Sequence, residues 1–184
     1  MEIRPFKQVN REFELELPRF ERMNEYLDFI LDKVENQSKD LEDEDYFVGK
    51  RWLEVNESDQ IPESVLHFFN DGGEYLISIN GNIQKGVWRL LKESNSIITE
   101  CLSKNELYEL AFLNEDFFIL KKHGNHNNGQ KRYLVMGKEE SIKDMKWTTV
   151  MDKIFNIYRS SSQLLLLVII AILVFAIIAF FTFY

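Results

Sequence analysis

The last stretch of the chain limits the possible folds more than any other feature of the sequence. Residues Leu164–Tyr184 read LLLLVIIAILVFAIIAFFTFY and contain no charged residue, no glycine and no proline. At a rise of ~1.5 Å per residue, a helix of this length covers about 30 Å, the thickness of a bilayer's hydrocarbon core. A buried core helix is the alternative, but here every face of the helix is apolar. We therefore predict a transmembrane anchor over residues 163–184.

Cationic and aromatic residues precede this apolar run. Lysine and arginine beside a span stay on the cytoplasmic side, and tryptophan and tyrosine favour the membrane interface. We therefore expect a juxtamembrane amphipathic helix over residues 138–162, in a single-pass, tail-anchored protein of the cell inner membrane whose soluble part is cytoplasmic. The residues expected at the membrane interface are Lys146, Trp147, Lys153, Tyr158 and Arg159.

The start of the chain and its cysteine content agree with a cytoplasmic location. The first residues, MEIRPFKQVN, contain no apolar core, so we expect no signal peptide. Cys101 is the single cysteine of the sequence, which rules out an internal disulfide.

Charge is distributed unevenly along the chain, whose formal net charge is −8. Residues 1–63 carry 18 acidic and 9 basic side chains, whereas residues 121–159 carry 4 acidic and 9 basic ones. An anionic membrane surface should attract the basic part and repel the acidic part. The acidic balance also argues against binding to a nucleic acid duplex, which favours a net basic surface.

The N-terminal segment, residues 1–47, is expected to contain a strand, an amphipathic helix and an acidic linker. Alternation of Glu and apolar residues over Arg11–Leu17 predicts the strand. After Pro18, apolar residues recur every three or four positions, which predicts the helix. The helix either packs against the protein's own sheet or forms a dimer contact, and its short length favours the first. The apolar positions are Phe20, Met23, Leu27, Ile30 and Val34.

The middle of the chain, residues 48–137, changes to a period of two with frequent turns. Asp71-Gly72-Gly73 and Asn80-Gly81 supply the positive-φ positions that tight hairpins require. Short connections force neighbouring strands to be antiparallel. We predict a mainly β fold, an antiparallel up-and-down barrel. The strands are expected at residues 50–55, 64–70, 74–79, 84–91, 96–101, 106–113, 116–122 and 131–136.

Several of these strands are apolar on both faces, among them those at 106–113 and 116–122. Strict alternation over 106–113 puts Tyr108, Leu110 and Phe112 on one face, with Leu107, Ala111 and Leu113 on the other. One face of a barrel strand points outward, so an apolar outer face must be covered. The N-terminal helix is the nearest cover, and the membrane surface and a second subunit are the alternatives.

Aromatic and turn residues recur in the predicted strands and hairpins at Gly49 and Trp52, Phe68 with Asn70–Gly72 and Tyr75, Gly86 with Trp88 and Leu90, and Tyr108 with Leu110. This pattern resembles the small bacterial lipocalin-like domain. The resemblance implies an up-and-down barrel whose interior holds a small apolar or amphipathic ligand, and it implies no catalytic residues. Members of that family are usually exported, whereas this chain is expected to carry an anchor at its other end.

Catalytic and metal-binding patterns are weak in this sequence. His123 and His126 share an Asn/Gly-rich loop without a third ligand nearby, and His67 lies within an apolar strand, which is typical of a hydrogen-bonded core histidine. Cys101 has no base beside it in sequence. We expect no enzymatic activity, no metal and no cofactor.

Aromatic residues are the best candidates for a ligand site. Trp52, Trp88, Tyr108 and Tyr133 are expected inside the barrel, with Arg89 near its mouth. Rings stack on flat ligands, and a guanidinium group binds phosphate. The alternative is that these side chains fill the barrel, as in many small eight-stranded barrels.

Three functions fit these features. The first is a membrane-tethered cytosolic barrel that binds or senses a small molecule. The second is a membrane effector of an antiphage signalling system, an antiviral defence, whose barrel recognises a cyclic nucleotide. The third is a structural subunit with a filled barrel. The expected partners are the lipid bilayer, a small-molecule ligand, and a second copy bound through the transmembrane or the N-terminal helix.

Overall fold

The computed structural model of this chain describes residues 17–57, 63–124 and 132–183. The chain divides into two compact units, Phe20–Met151 and a second unit that comprises Met1–Arg19 and Asp152–Tyr184. The strand predicted for Arg11–Leu17 falls almost entirely outside the described residues, as does His126.

The first unit contains a closed barrel of antiparallel strands in sequence order, which confirms the predicted fold. Each strand pairs with its sequence neighbour, and β1 pairs with β8 to close the barrel, with Leu53 opposite Gly137. The strands are β1 Arg51–Glu54, β2 Val65–Asn70, β3 Glu74–Ile79, β4 Asn82–Leu91, β5 Ser96–Cys101, β6 Lys104–Leu113, β7 Phe117–Lys122 and β8 Tyr133–Lys138.

Turn residues of the expected kind end the hairpins. Gly72, between β2 and β3, has φ +75°, and Gly81, between β3 and β4, has φ +86°. A side chain would clash with the backbone in this left-handed region, so glycine is favoured there. Asn95 takes the same conformation between β4 and β5, with φ +46°, as asparagine tolerates.

A β-bulge in β6 changes which residues face inward. The register against β7 shifts between Leu110 and Phe112, so Phe112 pairs with Ile119 and Leu113 with Phe118. Leu113 therefore joins the interior with Tyr108 and Leu110, while Phe112 lies on the opposite face. The strict alternation expected for residues 106–113 is wrong at this point, because a bulge inserts one residue and reverses the facing of those that follow.

The helix α1, Met23–Val34, covers part of the barrel's outer face. It begins later than the sequence pattern suggested, since residues 17–22 are not helical. Asp28 on α1 accepts a hydrogen bond from the Tyr133 hydroxyl at 2.7 Å and pairs with Arg132 at 2.8 Å, which ties the helix to β8. The predicted packing of this helix against the protein's own sheet is confirmed. Its buried side chains are Met23, Tyr26, Leu27, Ile30 and Val34.

Two helices follow β8, where the sequence predicted one juxtamembrane helix. The short α2 spans Glu139–Ile142, and α3 spans Trp147–Phe183. Asp144 between them has φ +62°, which breaks the helical backbone. Helix α3 then continues through the serines at 160–162 without interruption.

The apolar part of α3, in the second unit, has the length and composition of a membrane span. Its most apolar window has a mean hydropathy of 3.0, and none of that window is buried within the protein. Among the described residues it is the one helix that meets these criteria.

Candidate functional site

Large aromatic side chains fill one end of the barrel, and we call this cluster the aromatic plug. Phe47 precedes β1 and folds under the barrel, with its ring centroid 5.4 Å from that of Trp88 and 5.2 Å from that of Phe118. The indole N–H of Trp52 donates to the carbonyl of Phe47 at 2.9 Å, and that of Trp88 donates to the carbonyl of Asn70 at 3.0 Å. The plug comprises Phe47, Trp52, Phe69, Trp88 and Phe118.

The other end of the barrel holds a cavity of about 320 Å³, which we call the barrel cavity. Leu102, in the β5–β6 turn, is half exposed and lies at its rim together with Lys104. Aliphatic side chains form part of the wall, and polar side chains from seven strands form the rest. The residues that line it are Glu54, His67, Tyr75, Ile77, Ile79, Thr99, Cys101, Leu102, Lys104, Glu106, Tyr108, Lys122, Tyr133 and Leu134.

One hydrogen-bonded chain crosses three strands of this wall. His67 on β2 is 3 % exposed, and both of its ring nitrogens have partners. Its Nε2 lies 2.9 Å from Oε2 of Glu54 on β1, and its Nδ1 lies 2.6 Å from the Tyr75 hydroxyl on β3. We call Glu54, His67 and Tyr75 the first polar chain. It satisfies a buried imidazole at both nitrogens, as expected for a core histidine.

A second polar chain joins β6 and β7 on another part of the wall. The Tyr108 hydroxyl donates to Oε2 of Glu106 at 2.5 Å, and the ammonium of Lys122 donates to Oε1 of the same carboxylate. Burial by itself would raise the pKa of Glu106, but the hydrogen bonds from Lys122 and Tyr108 outweigh it and leave the pKa below the usual value of 4.5. Glu106 is therefore an ionised acceptor at neutral pH.

Tyr75 and Tyr108, which line the barrel cavity, keep their protons. Burial raises the pKa of Tyr75 well above its usual value, and the nearby Cys101 and Glu54 raise it further. Burial also raises the pKa of Tyr108, followed by its hydrogen bond to Glu106. Both phenols are therefore neutral hydroxyls at any physiological pH.

The residues predicted to bind a ligand occupy different places. Trp52 and Trp88 belong to the aromatic plug, as the filled-barrel alternative expected, whereas Tyr108 lines the cavity. Tyr133 lies at the cavity margin and donates its hydroxyl to the helix α1. Arg89 lies away from the cavity, paired with the carboxylate of Glu100. Ligand binding by this set of residues stays a prediction.

Strand alternation explains the position of Arg89. Trp88 points into the barrel, and the next residue of a strand points to the opposite face. Arg89 and Glu100 therefore lie on the outer surface of neighbouring strands, where the Arg89 side chain is 63 % exposed. Strand alternation alone is sufficient to place Arg89 on the outer face once Trp88 is inside, because two consecutive strand residues cannot both face the interior.

Most of the cavity's polar side chains were missed at the level of sequence. Glu54, His67, Tyr75, Glu106 and Lys122 are separated in the chain and form no motif. Strand alternation could have identified them, because each lies an even number of positions from an inward-facing apolar residue of its own strand, as His67 does from Phe69. Charged residues at inward positions mark either a barrel mouth or a polar cavity.

The residues expected at the membrane interface lie near the start of α3. Lys146 is exposed, and the ring of Trp147 packs edge-on against that of Tyr26 with centroids 5.5 Å apart. In the second unit, Tyr158 packs against Phe155 at 5.7 Å, and Lys153 is partly exposed. Arg159 is exposed. Contact of these residues with lipid stays a prediction.

Neither metal-site geometry nor similarity adds a function. Within residues 17–57, 63–124 and 132–183, no three His, Cys, Asp or Glu side chains group as metal ligands would. In comparisons with known proteins, no family model, no curated protein and no solved structure matches this chain.

Proposed function

We propose that this protein is a non-enzymatic, membrane-tethered barrel that binds a small molecule in the barrel cavity. The observation that supports this most directly is the cavity of about 320 Å³ at one end of a barrel that is filled at the other. Ligand sites are typically concave and mostly apolar, with a few polar groups that orient the ligand, and most have ~300 to 1,000 Å³. The barrel is lipocalin-like in this proposal, since its strands follow one another in sequence order.

The size and lining of the cavity limit the ligand to a small amphipathic molecule. Ile77, Ile79 and Leu134 offer apolar contacts, whereas the two polar chains offer hydrogen bonds. A cyclic nucleotide with several phosphates is a poor fit. It would need an excess of cations, but the carboxylates of Glu54 and Glu106 balance the lysines of the cavity wall in number.

The hydrogen bonds of His67 support the absence of enzymatic activity in this proposal. A histidine that acts as a general base needs a ring nitrogen within reach of the substrate. Both ring nitrogens of His67 are within hydrogen-bond distance of protein partners, at 2.6 and 2.9 Å. The first polar chain therefore supports a structural and binding role for this residue.

Membrane attachment through α3 completes the proposal. The apolar window of α3 has no burial within the protein, so in water it would expose most of its side chains. Insertion into a bilayer removes that surface from water. By the distribution of lysine and arginine, the barrel lies on the cytoplasmic side of the inner membrane.

Native mass spectrometry of the detergent-extracted full chain tests the binding function. The variant Ile79→Trp places a bulky ring in the cavity, and Ile83→Trp is its control on a 63 % exposed position of the neighbouring strand. We expect a bound small mass with the wild type and Ile83→Trp, and its loss with Ile79→Trp. A wild type that carries no such mass and binds no added small molecule in the barrel cavity, or an Ile79→Trp variant that retains the mass, would overturn the proposal.

Carbonate extraction of cell membranes tests the anchor. Replacing Ile169 and Leu173 with lysine puts two charges at the centre of the span, at a cost of about 3 kcal/mol each. We expect the double variant to move to the soluble or aggregated fraction, while Asn156→Lys, an exposed position, stays with the membrane. Protease added to sealed cells should leave the barrel intact, and cleavage of the barrel would place it on the outer side.

A further inference from the structure

The polar wall of the barrel cavity has a definite pattern of hydrogen-bond donors and acceptors. Tyr75 and Tyr108 are 5 % and 6 % exposed, and both line the cavity. A phenol has one proton to donate and lone pairs that accept. What each hydroxyl can offer to a ligand therefore depends on where its proton is already engaged.

The proton of Tyr75 is engaged by the first polar chain. A carboxylate accepts only, so the contact between Glu54 and Nε2 of His67 places the ring proton on Nε2. In the neutral imidazole the other nitrogen, Nδ1, is then an acceptor, and it accepts a hydrogen bond from the Tyr75 hydroxyl at 2.6 Å. The oxygen of Tyr75 is left with lone pairs for any further partner.

The proton of Tyr108 is engaged in the same way by the second polar chain. Its partner is the Glu106 carboxylate, 2.5 Å away, and this group cannot donate while it is ionised. The hydrogen bond from Lys122 to the other carboxylate oxygen favours that ionised form. The oxygen of Tyr108 is therefore also an acceptor for a ligand.

We propose that the molecule bound in the barrel cavity is a small amine, whose ammonium group donates hydrogen bonds to the phenolic oxygens of Tyr75 and Tyr108 while its apolar body contacts Ile77, Ile79 and Leu134. This inference rests on the proposed function and specifies its ligand class. The faces of the two phenol rings also attract a cation.

An ionised carboxylate or phosphate group accepts hydrogen bonds, so at the two phenols it would need donors in place of acceptors. To bind it at this position, each phenol would have to withdraw its proton from His67 or from Glu106, which would leave a buried acceptor atom without that donor. Such a loss costs about 1–3 kcal/mol for each group. An ammonium group requires no such change, so the two polar chains select the ligand by hydrogen-bond direction and not by net charge.

Three matched probes test this inference: benzylamine, benzyl alcohol and benzoate. Each is titrated into the full chain in detergent micelles at pH 7.5. Binding is followed by NMR through the signals of ¹³C-labelled isoleucine methyl groups. Ile77 and Ile79 report on the cavity directly. The Ile79→Trp variant corrects for partition of the probes into micelles. We expect benzylamine to bind at least about tenfold more tightly than benzoate, since hydrogen bonds to a charged group contribute about 1.5–3 kcal/mol.

Two tyrosine variants locate the contact. Tyr75→Phe and Tyr108→Phe should each weaken benzylamine binding about tenfold, by loss of one charge-assisted hydrogen bond. Tyr46→Phe is the control, because Tyr46 packs outside the barrel cavity. Thermal unfolding of each variant checks that it is folded, and the two independent phenols keep the test valid if one variant is not.

The outcomes separate this inference from the proposed function. If benzyl alcohol or benzoate binds in the cavity as tightly as benzylamine, the ligand class proposed here is wrong, while the proposed small-molecule binding stands. A co-purified small molecule that contains no basic nitrogen would also show that the amine class is wrong. If no probe binds and no mass co-purifies, the proposed function fails together with the inference.

Discussion

The strongest test of the barrel's inside and outside is a pair of adjacent phenylalanines on β2. Phe69 is fully buried in the aromatic plug, whereas Phe68 is partly buried on the outer face, opposite Arg51 and Leu76. Replacing each with alanine removes the same atoms from neighbouring positions of one strand. The two variants therefore differ in the environment of the side chain and not in the chemistry of the change.

The structure sets the expected size of each effect. The ring of Phe69 lies 5.2 Å from that of Tyr75, 5.4 Å from Phe118 and 5.7 Å from Phe47, so its removal leaves a cavity that rigid neighbours cannot fill. A fully buried Phe→Ala change costs about 3–5 kcal/mol, including the cavity. A partly exposed phenylalanine loses less surface, and we expect about 1–2 kcal/mol for Phe68→Ala.

Urea unfolding of the full chain in micelles, followed by tryptophan fluorescence, measures both values. Trp52 and Trp88 belong to the plug and report on its packing. With a denaturant slope of about 2 kcal/mol per molar, Phe69→Ala should lower the midpoint by about 2 M and Phe68→Ala by less than about 1 M. Equal shifts for the two variants, or a larger shift for Phe68→Ala, would refute the assignment of Phe69 to the interior and of Phe68 to the outer face of β2.

Three further changes test other parts of the barrel. Gly86→Ala would put a Cβ atom in steric clash with the carbonyl oxygen of Glu100, so β4 and β5 must separate, and we expect the free energy of thermal unfolding to fall by about 1–3 kcal/mol. Trp52→Phe leaves the buried carbonyl of Phe47 without its donor and should lower the free energy of urea unfolding by about 1–3 kcal/mol. Glu106 has a lowered pKa in the folded state, so it adds stability above the unfolded pKa of 4.5, and that stability is lost as the pH falls through the folded pKa. Unfolding measured from about pH 6 to pH 3 should therefore depend less on pH in Glu106→Gln than in the wild type.

Local rules were sufficient to predict the barrel. The sequence pattern placed aromatic residues such as Trp88 and Tyr108 inside the barrel, and the turn residues Gly72 and Gly81 indicated the short hairpins that force antiparallel neighbours. Two departures had no local signal. The bulge at Leu110 in β6 depends on its register with β7, and the break near Asp144 depends on a left-handed residue inside an otherwise helical pattern.

The cavity was harder to predict than the strands, because its polar residues meet only after the barrel has closed. Glu54 and His67 are 13 positions apart, and Lys122 reaches Glu106 across 16. No sequence motif links such partners, since the strand register that joins them is set by the whole sheet. Sequence alone also could not show that Trp52 and Trp88 belong to a plug at one end, leaving space at the other.

A double-mutant cycle on Tyr75 and His67 tests the reasoning on which the ligand class depends. The variants are Tyr75→Phe, His67→Phe and the double variant, each followed by urea unfolding of the full chain. The two groups meet at 2.6 Å in a buried site, so we expect a coupling of about 1–2 kcal/mol. If the single effects add to within about 0.5 kcal/mol, the two groups are not coupled. The hydroxyl proton of Tyr75 would then be available to a ligand, and the cavity would have no reason to prefer an ammonium group to a carboxylate.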